Sequence, residues 1–503
     1  MSAKRDRVLV CDGRHVDERV VLAILTIGTF IAPLDSSIVN IALPAMAADF
    51  GARLTSVGWV ATAYVLTTAS FVLAMGRLAD IYGLRRVYVS GFLVFATGSA
   101  ACALVPSLGW LIAARVFQAI GAAAMFAAGP ALVSRTFPPQ RRGWALGWIS
   151  LAVSAGLTIG PALGGTLVAL WGWQGIFLVN IPLALVTAGV ARALLPEDCP
   201  DAEPFDIAGA ALVSVTLTSA LLALSETARS GVIAPTTIGL AAVAVVAGMV
   251  FVRVERRVAH PLVDLGMFRR WRFSAGLISA VLSFTSLFAV TFTMPFYLLK
   301  VQGLAPQTAG LLLTATPLTM ALFAPAAGRA SDRMGSRRLS TAGLVLLAVT
   351  LTAMTRIAVD THPGFIVLAL VGVGTGLSVF SAPNTADILR ATPRTRVGVG
   401  SALVGQARNL GIAFGVGVTA LVISLGLGGA DLMSSEAVLV GAEAELFVSA
   451  MRSAFVVAAV VAALGAAIAW SRGEATDADA IEVDAGFPAR VDLPARESGE
   501  EVE

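Results

Sequence analysis

Apolar stretches dominate this chain, and short polar breaks cut them into fourteen runs. Their approximate limits are residues 20–43, 56–75, 87–105, 108–133, 144–170, 175–195, 207–225, 233–252, 274–299, 306–328, 339–359, 364–389, 398–426 and 448–470. About 20 mostly apolar residues in a helix cross the hydrocarbon core of a bilayer, so each run is read as one membrane span. The runs are continuous, whereas the strands of a membrane barrel alternate over about ten residues, and a β-barrel is excluded. The expected class is an all-α integral membrane protein with 14 transmembrane helices.

Composition agrees. Of 503 residues 57% are hydrophobic and 13% charged, and the mean hydropathy is +0.84. Soluble domains hold about 45–50% apolar and about 25% charged residues, so a soluble enzyme or nucleic-acid binder is a poor reading despite a pI near 9.0. The net charge is only +3, and the placement of the charges says more. With the N-terminus inside, 28 of the 35 basic residues fall in cytoplasmic segments. Four fall outside (Arg53, Arg229, Lys300, Arg356) and three within spans (Arg115, Arg408, Arg452). Cytoplasmic loops carry the excess of Lys and Arg, so both termini are expected in the cytoplasm. The preference for Arg over Lys, with abundant Ala, Gly and Val, fits a high-GC bacterial genome and hence a bacterial cytoplasmic membrane. The first run exceeds the roughly 7–15 residues of a signal-peptide core and contains Asp35, so it is expected to be retained. Cys11, Cys102 and Cys199 are scattered and odd in number, as unpaired thiols are; no metal or cofactor is expected.

A loop repeats. Gly76-Arg77-Leu78-Ala79-Asp80-Ile81-Tyr82-Gly83-Leu84-Arg85-Arg86 follows span 2, and Gly328-Arg329-Ala330-Ser331-Asp332-Arg333-Met334-Gly335-Ser336-Arg337-Arg338 follows span 10. Both keep Gly-Arg, Asp, Gly and Arg-Arg in register, and internal repeats mark transporters built from two similar bundles. Two six-helix bundles account for twelve spans, leaving spans 7 and 8 as an insert expected to be passive. The domain reading is a cytoplasmic N-terminus (1–19), a first bundle (20–195), a linker with two inserted helices (196–273), a second bundle (274–470) and a disordered acidic tail (471–503). In the two loops, glycines permit tight turns and close approach, and Asp80 and Asp332 are able to accept from helix N-termini or nearby arginines. A conformational latch on the cytoplasmic side is expected from Gly76, Asp80, Gly83, Arg85, Arg86, Gly328, Asp332, Gly335, Arg337 and Arg338.

These loops resemble the signature of the major facilitator superfamily, and further stretches narrow the resemblance to its fourteen-span drug:proton antiporter branch. Leu34-Asp35-Ser36-Ser37-Ile38-Val39-Asn40 through Pro44 is similar to that branch's span-1 motif. Arg115-Val116-Phe117-Gln118-Ala119-Ile120-Gly121 resembles its span-4 motif, with Ala119 for a glycine. Gly156 through Gly160-Pro161-Ala162-Leu163-Gly164-Gly165 resembles the span-5 antiporter motif. Trp173-Gln174-Gly175 through Asn180-Ile181-Pro182 resembles the start of span 6, with Gln174-Gly175 for Arg-Trp, and Arg408-Asn409-Leu410-Gly411 resembles a span-13 feature. The resemblance implies a major facilitator fold and proton-coupled export of hydrophobic or amphipathic molecules such as drugs and antibiotics. The alternative is import or exchange of a metabolite on the same fold.

Ionisable groups within spans are costly and usually functional. Asp35 and Arg115 lie at matching depth, about 12 and 10 Å from the outer surface at 1.5 Å per residue. They are expected to act together in proton coupling, directly or through Gln118 or water. Burial favours the protonated carboxyl and a neighbouring guanidinium favours the carboxylate, so moving one switches the other. Arg408, near mid-membrane, either faces an anionic or zwitterionic substrate or is held by carbonyls and Asn409. Phe288 and Phe292 belong to a four-residue stripe with Phe284 and Phe296, which lines an apolar cavity or packs in the core. Asn40, Trp59, Tyr64 and Gln118 complete the substrate-cavity candidates. Gly156, Gly160, Pro161, Gly164 and Gly165 are expected to form a smooth antiporter seam on which the halves pivot. No Walker loop or metalloprotease motif is present, so neither an ATP-driven pump nor an enzyme is expected. The expected partners are a small-molecule substrate, protons and the lipid bilayer, with no nucleic acid and a monomeric state.

Overall fold

The computed structural model describes residues 7–8, 16–52, 54–138, 140–195, 204–230, 234–258, 260–304, 306–393, 396–427 and 439–473. Cys11, Cys199 and the acidic tail beyond residue 473 lie outside this set, as does the disorder expected of that tail.

Helices α1 (Glu18–Asp49), α2 (Trp59–Tyr82), α3 (Leu84–Leu104), α4 (Leu108–Thr136), α5 (Arg142–Trp171) and α6 (Asn180–Leu194) make the first half. Next come α7 (Ile207–Ser230) and α8 (Pro235–Glu255). The second half holds α9 (Trp271–Phe296), α10 (Ala315–Met334), α11 (Ser336–Met354), α12 (Pro363–Arg390), α13 (Val397–Gly426) and α14 (Ala442–Trp470). Among the described residues, 13 helices are long and apolar enough to cross a membrane. The remaining one, α7, has a shorter described apolar run, Ile207–Ala223, and continues through polar Ser225-Glu226-Thr227 to Ser230. Ahead of α1, β1 (Arg7–Val8) and β2 (Val16–Asp17) pair antiparallel, and the Asp17 side chain accepts from the Arg19 backbone N–H at 2.9 Å, capping the helix.

The two halves repeat each other's packing. In the first, α1 packs on α5, α2 and α3 on α4, and α3 on α6; in the second, α9 packs on α13, α10 and α11 on α12, and α11 on α14. The halves meet through α5 against α10 and α13 against α2, a pair of contacts that exchange under the same repeat. The inserted α7 lies against both α2 and α13, so it straddles the two halves, and α8 packs on α7. Ser70 and Thr218 hydroxyls meet at 2.6 Å, and Ser214 donates to the Ser70 carbonyl at 3.1 Å, tying α7 to α2.

Two glycines set the sharp bends that return the chain at the basic end. Gly83 (φ 99°) ends α2 and Gly335 (φ 87°) ends α10, and in each case the next helix begins at the following residue. Positive φ is strained for a residue with a Cβ, which accounts for glycine at this place in both copies of the loop.

Candidate functional site

Asp35 and Arg115 are fully buried and joined, with Arg115 Nη1 2.7 Å from Asp35 Oδ2. An isolated buried charge is prohibitively costly, and it is tolerated when paired and hydrogen-bonded. The supporting set is extensive. Gln118 Nε2 and Asn180 Nδ2 donate to Asp35 Oδ1 at 3.2 and 2.7 Å. Arg115 also donates to Gln118 Oε1 at 2.6 Å and to the Val60 carbonyl at 3.2 Å. Gln118 Nε2 in addition reaches Ser99 Oγ at 2.8 Å. The guanidinium lies over the Tyr64 ring, 4.0 Å from its centroid. One cluster thus joins α1, α2, α3, α4 and α6, all within the first half. Gln118 and Tyr64, expected in a substrate cavity, are buried in this cluster instead. Asn180 also belongs to it as a direct partner of the carboxylate.

At the basic end the two loops of the repeat reach across to the opposite half. Asp80 accepts from the backbone N–H groups of Gly398 and Val399, the first turn of α13, at 2.7 and 3.0 Å. Asp332 accepts from Gly143 and Trp144, the first turn of α5, at 3.0 and 3.0 Å. Each carboxylate therefore supplies the missing acceptor for a helix whose first N–H groups are otherwise unsatisfied, where the helix dipole favours negative charge. Arginines at equivalent ends of α4 and α12 stand by: Arg135 is 3.9 Å from Asp80 and Arg390 is 3.5 Å from Asp332.

The first glycine of each loop sits on a glycine of the other half. A Cβ on Gly76 would fall 2.6 Å from the Gly398 carbonyl oxygen, and one on Gly328 would collide with the Gly143 carbonyl. The arginine pairs divide their work. Arg85 donates to the Leu195 carbonyl past the end of α6 at 2.9 Å, and Arg337 to the Trp470 carbonyl at the end of α14 at 2.7 Å. Both contacts stay within one half, and Arg86 and Arg338 are exposed. Of the expected latch, Gly76, Asp80, Gly328 and Asp332 make these crossing contacts, whereas Gly83 and Gly335 serve the turns.

The expected pivot seam is displaced. Gly156 and Gly160 pack on α1, where added Cβ atoms would lie 2.8 Å from the Phe30 carbonyl oxygen and 2.5 Å from Ser37 Cβ. Gly164 faces Ile38 of the same helix, and Gly165 faces open space. The side chain of Pro161 lies outside the described set. This smooth face thus joins α5 to its own half, because the helix meets α10 on a different face, through Gly143 and Gly147. In the second half Gly411 and Gly415 pack on α9 in the same manner.

A cavity lies between the halves, with walls from α1, α4, α5, α9, α12 and α13. Phe126, Phe284 and Phe380 supply apolar wall, and Arg408 is the single charged residue lining it among the described residues. Of the substrate-cavity candidates Arg408 is there, and from the phenylalanine stripe Phe284 is there. Phe288 and Phe292 stack on each other at 6.0 Å, and Phe288 covers Gly415, a packing role. Asn40 and Trp59 are exposed elsewhere. The sequence did carry a signal for the partners that were missed. Arg135 and Arg390, Gly143 and Gly398, Gly156 and Gly411, and Gly160 and Gly415 all stand at one common offset.

Comparison with known proteins identifies the scaffold. The model for the Major Facilitator Superfamily matches residues 25–263 and 276–490. The riboflavin transporter RibZ of Clostridioides difficile is 35% identical, over 79% of this chain and 86% of its own. The tetracenomycin C resistance and export protein of Streptomyces glaucescens is 31% identical, over 81% of this chain and 76% of its own. The solved structure of the proton:xylose symporter XylE superposes with a TM-score of 0.61 at 13% identity, covering 91% of this chain and 96% of that one. This chain, with its repeated bundles and crossed loops, belongs to the Major Facilitator Superfamily and is a multi-pass membrane transporter of the kind that includes antibiotic resistance proteins.

Proposed function

We propose that the protein exports hydrophobic or amphipathic small molecules across a bacterial cytoplasmic membrane, in exchange for protons, by alternating access. The observation that carries the reading is the buried Asp35–Arg115 pair, 2.7 Å apart, on helices that lead to the gate. Protonation of Asp35 removes the charge that holds Arg115, Gln118 and Asn180 together and frees α1 to shift. The α1 helix is seated on the glycine face of α5, and the first turn of α5 is held by Asp332. A proton taken up at Asp35 therefore bears on the gate through two directly packed helices. Each proton moving inward releases about 2.3 kcal/mol per 100 mV of membrane potential. The excess of basic residues at the latch end supports a cytoplasmic location for that end and for both termini. The form described is then the one closed toward the cytoplasm. Both halves and the ion pair come from one chain, so the working unit is taken as a monomer.

The test is dye transport into everted vesicles energised by a proton gradient. Wild type accumulates dye and loses this ability with a protonophore, and Asp35→Asn abolishes the proton-driven component. Unchanged gradient-driven accumulation in the variant would overturn the assignment of Asp35. Similarity to a riboflavin transporter favours a second reading, transport of a metabolite, and riboflavin as cargo in the same vesicles distinguishes the two.

A further inference from the structure

Among the described residues, Arg408 stands in the cavity without a counter-ion. No Asp or Glu lines that cavity among the described residues. The partner described for the guanidinium is the Phe126 ring, 5.2 Å from its centroid. Phe126 is on α4 and Arg408 on α13, so this contact joins the two halves across the cavity. Ser401, Val404, Gly405 and Arg408 all line the cavity, and their spacing places them on one face of α13. The Ser401 hydroxyl is buried and has no hydrogen-bond partner among the described residues, and the same holds for the Asn384 side-chain oxygen on the facing wall. A cation in an apolar chamber is stabilised by an anion that brings its own charge, and a guanidinium takes a carboxylate in a bidentate grip. Phenylalanines from three helices offer faces for a flat aromatic body.

We propose that the cavity selects aromatic organic anions, with the carboxylate or sulfonate on Arg408 and the ring system among Phe126, Phe284 and Phe380. The inference rests on the transport reading only in taking this cavity as the cargo chamber. An anion on Arg408 replaces the Phe126 contact, so loading the chamber releases one of the ties between the halves. Cationic aromatics of the same shape are disfavoured, because they meet an unneutralised guanidinium.

The experiment is equilibrium binding of two xanthene dyes of opposite charge, fluorescein and rhodamine 6G, to the full chain in nanodiscs, with empty nanodiscs subtracted. Wild type is expected to prefer fluorescein by about tenfold or more. Arg408→Gln loses that preference, and Arg408→Lys retains most of it. A wild-type chain that binds rhodamine 6G as tightly as fluorescein overturns the inference without any variant, and so does an Arg408→Gln chain that keeps the preference. Preference for fluorescein through Arg408 without gradient-driven transport supports this inference and counts against the transport reading alone. Gradient-driven export with no charge preference in binding counts against this inference alone.

Discussion

Asp80 of the first half holds the backbone N–H of Gly398 in the second at 2.7 Å, and the bond lies beside the contact of Gly76 with the Gly398 carbonyl. Donor, acceptor and close approach thus concentrate on a single residue of the opposing helix. The same arrangement recurs with Asp332, Gly328 and Gly143. On the proposed alternating-access cycle, opening the basic end would separate both sets, and each carboxylate would lose a helix N-terminus as partner.

Removing either charge weakens the closed form. A carboxylate at a helix N-terminus contributes about 0.3–1 kcal/mol, and up to about 2 when partly buried. Asp80→Asn and Asp332→Asn should therefore shift the open-to-closed ratio by between about twofold and thirtyfold. The measurement is maleimide labelling of Ser401→Cys in a cysteine-free background, since Ser401 lines the cavity. Labelling that stays at its starting rate in both variants would show that the carboxylates do not hold the gate.

The neighbouring arginine has a smaller part. Arg135 is 3.9 Å from Asp80 and its side chain is 27% exposed, a geometry worth about 0–1 kcal/mol. Arg135→Gln is expected to raise the same labelling less than Asp80→Asn does. An equal or larger rise would assign the closure to the ion pair rather than to the helix terminus.

Glycine at the crossing is a matter of space. Gly76→Ala drives a methyl to 2.6 Å from a carbonyl oxygen, whereas Gly165→Ala meets nothing within 4 Å. Overpacking of this kind costs about 1–3 kcal/mol, and here it falls on the closed form. Dye export at matched protein levels should drop for Gly76→Ala and hold for Gly165→Ala. Equal activity in the two would mean that the halves do not approach this closely during transport.

The buried pair should show strong coupling in stability. Breaking such a pair from one side costs about 3–5 kcal/mol, because the other charge is stranded. Thermal unfolding in detergent should find Arg115→Gln well below wild type and the double variant Asp35→Asn/Arg115→Gln above Arg115→Gln. Additive losses in this cycle would mean that the two residues do not act on each other.

The spans and the loop repeat were legible because lipid imposes length and apolarity on every helix, whatever it packs against. Asp35 and Arg115 were legible too, since depth along two helices follows from residue counting and few charges compete for attention. The partners of Asp80 and Asp332 were hidden, because backbone N–H groups carry no residue signature and their alignment arises only when the halves assemble. Helix spacing shows that Gly156, Gly160 and Gly164 share a face but not which neighbour that face meets. The cavity wall was obscured for a related reason: Ser401, Val404 and Gly405 differ little from residues that touch lipid. Arg408, and Phe284 through its stripe, were the wall residues with a pattern conspicuous enough to be noticed.

The hydrogen bonds that tie α7 to α2, through Ser70 with Thr218 and Ser214, give the inserted pair an allegiance. On the alternating-access reading proposed above, those bonds would carry α7 and α8 with the first bundle, and α7 would slide along α13. On that reading the pair would shield the groove between α2 and α13 from lipid, and a twelve-helix version of this chain would bare it at every stroke.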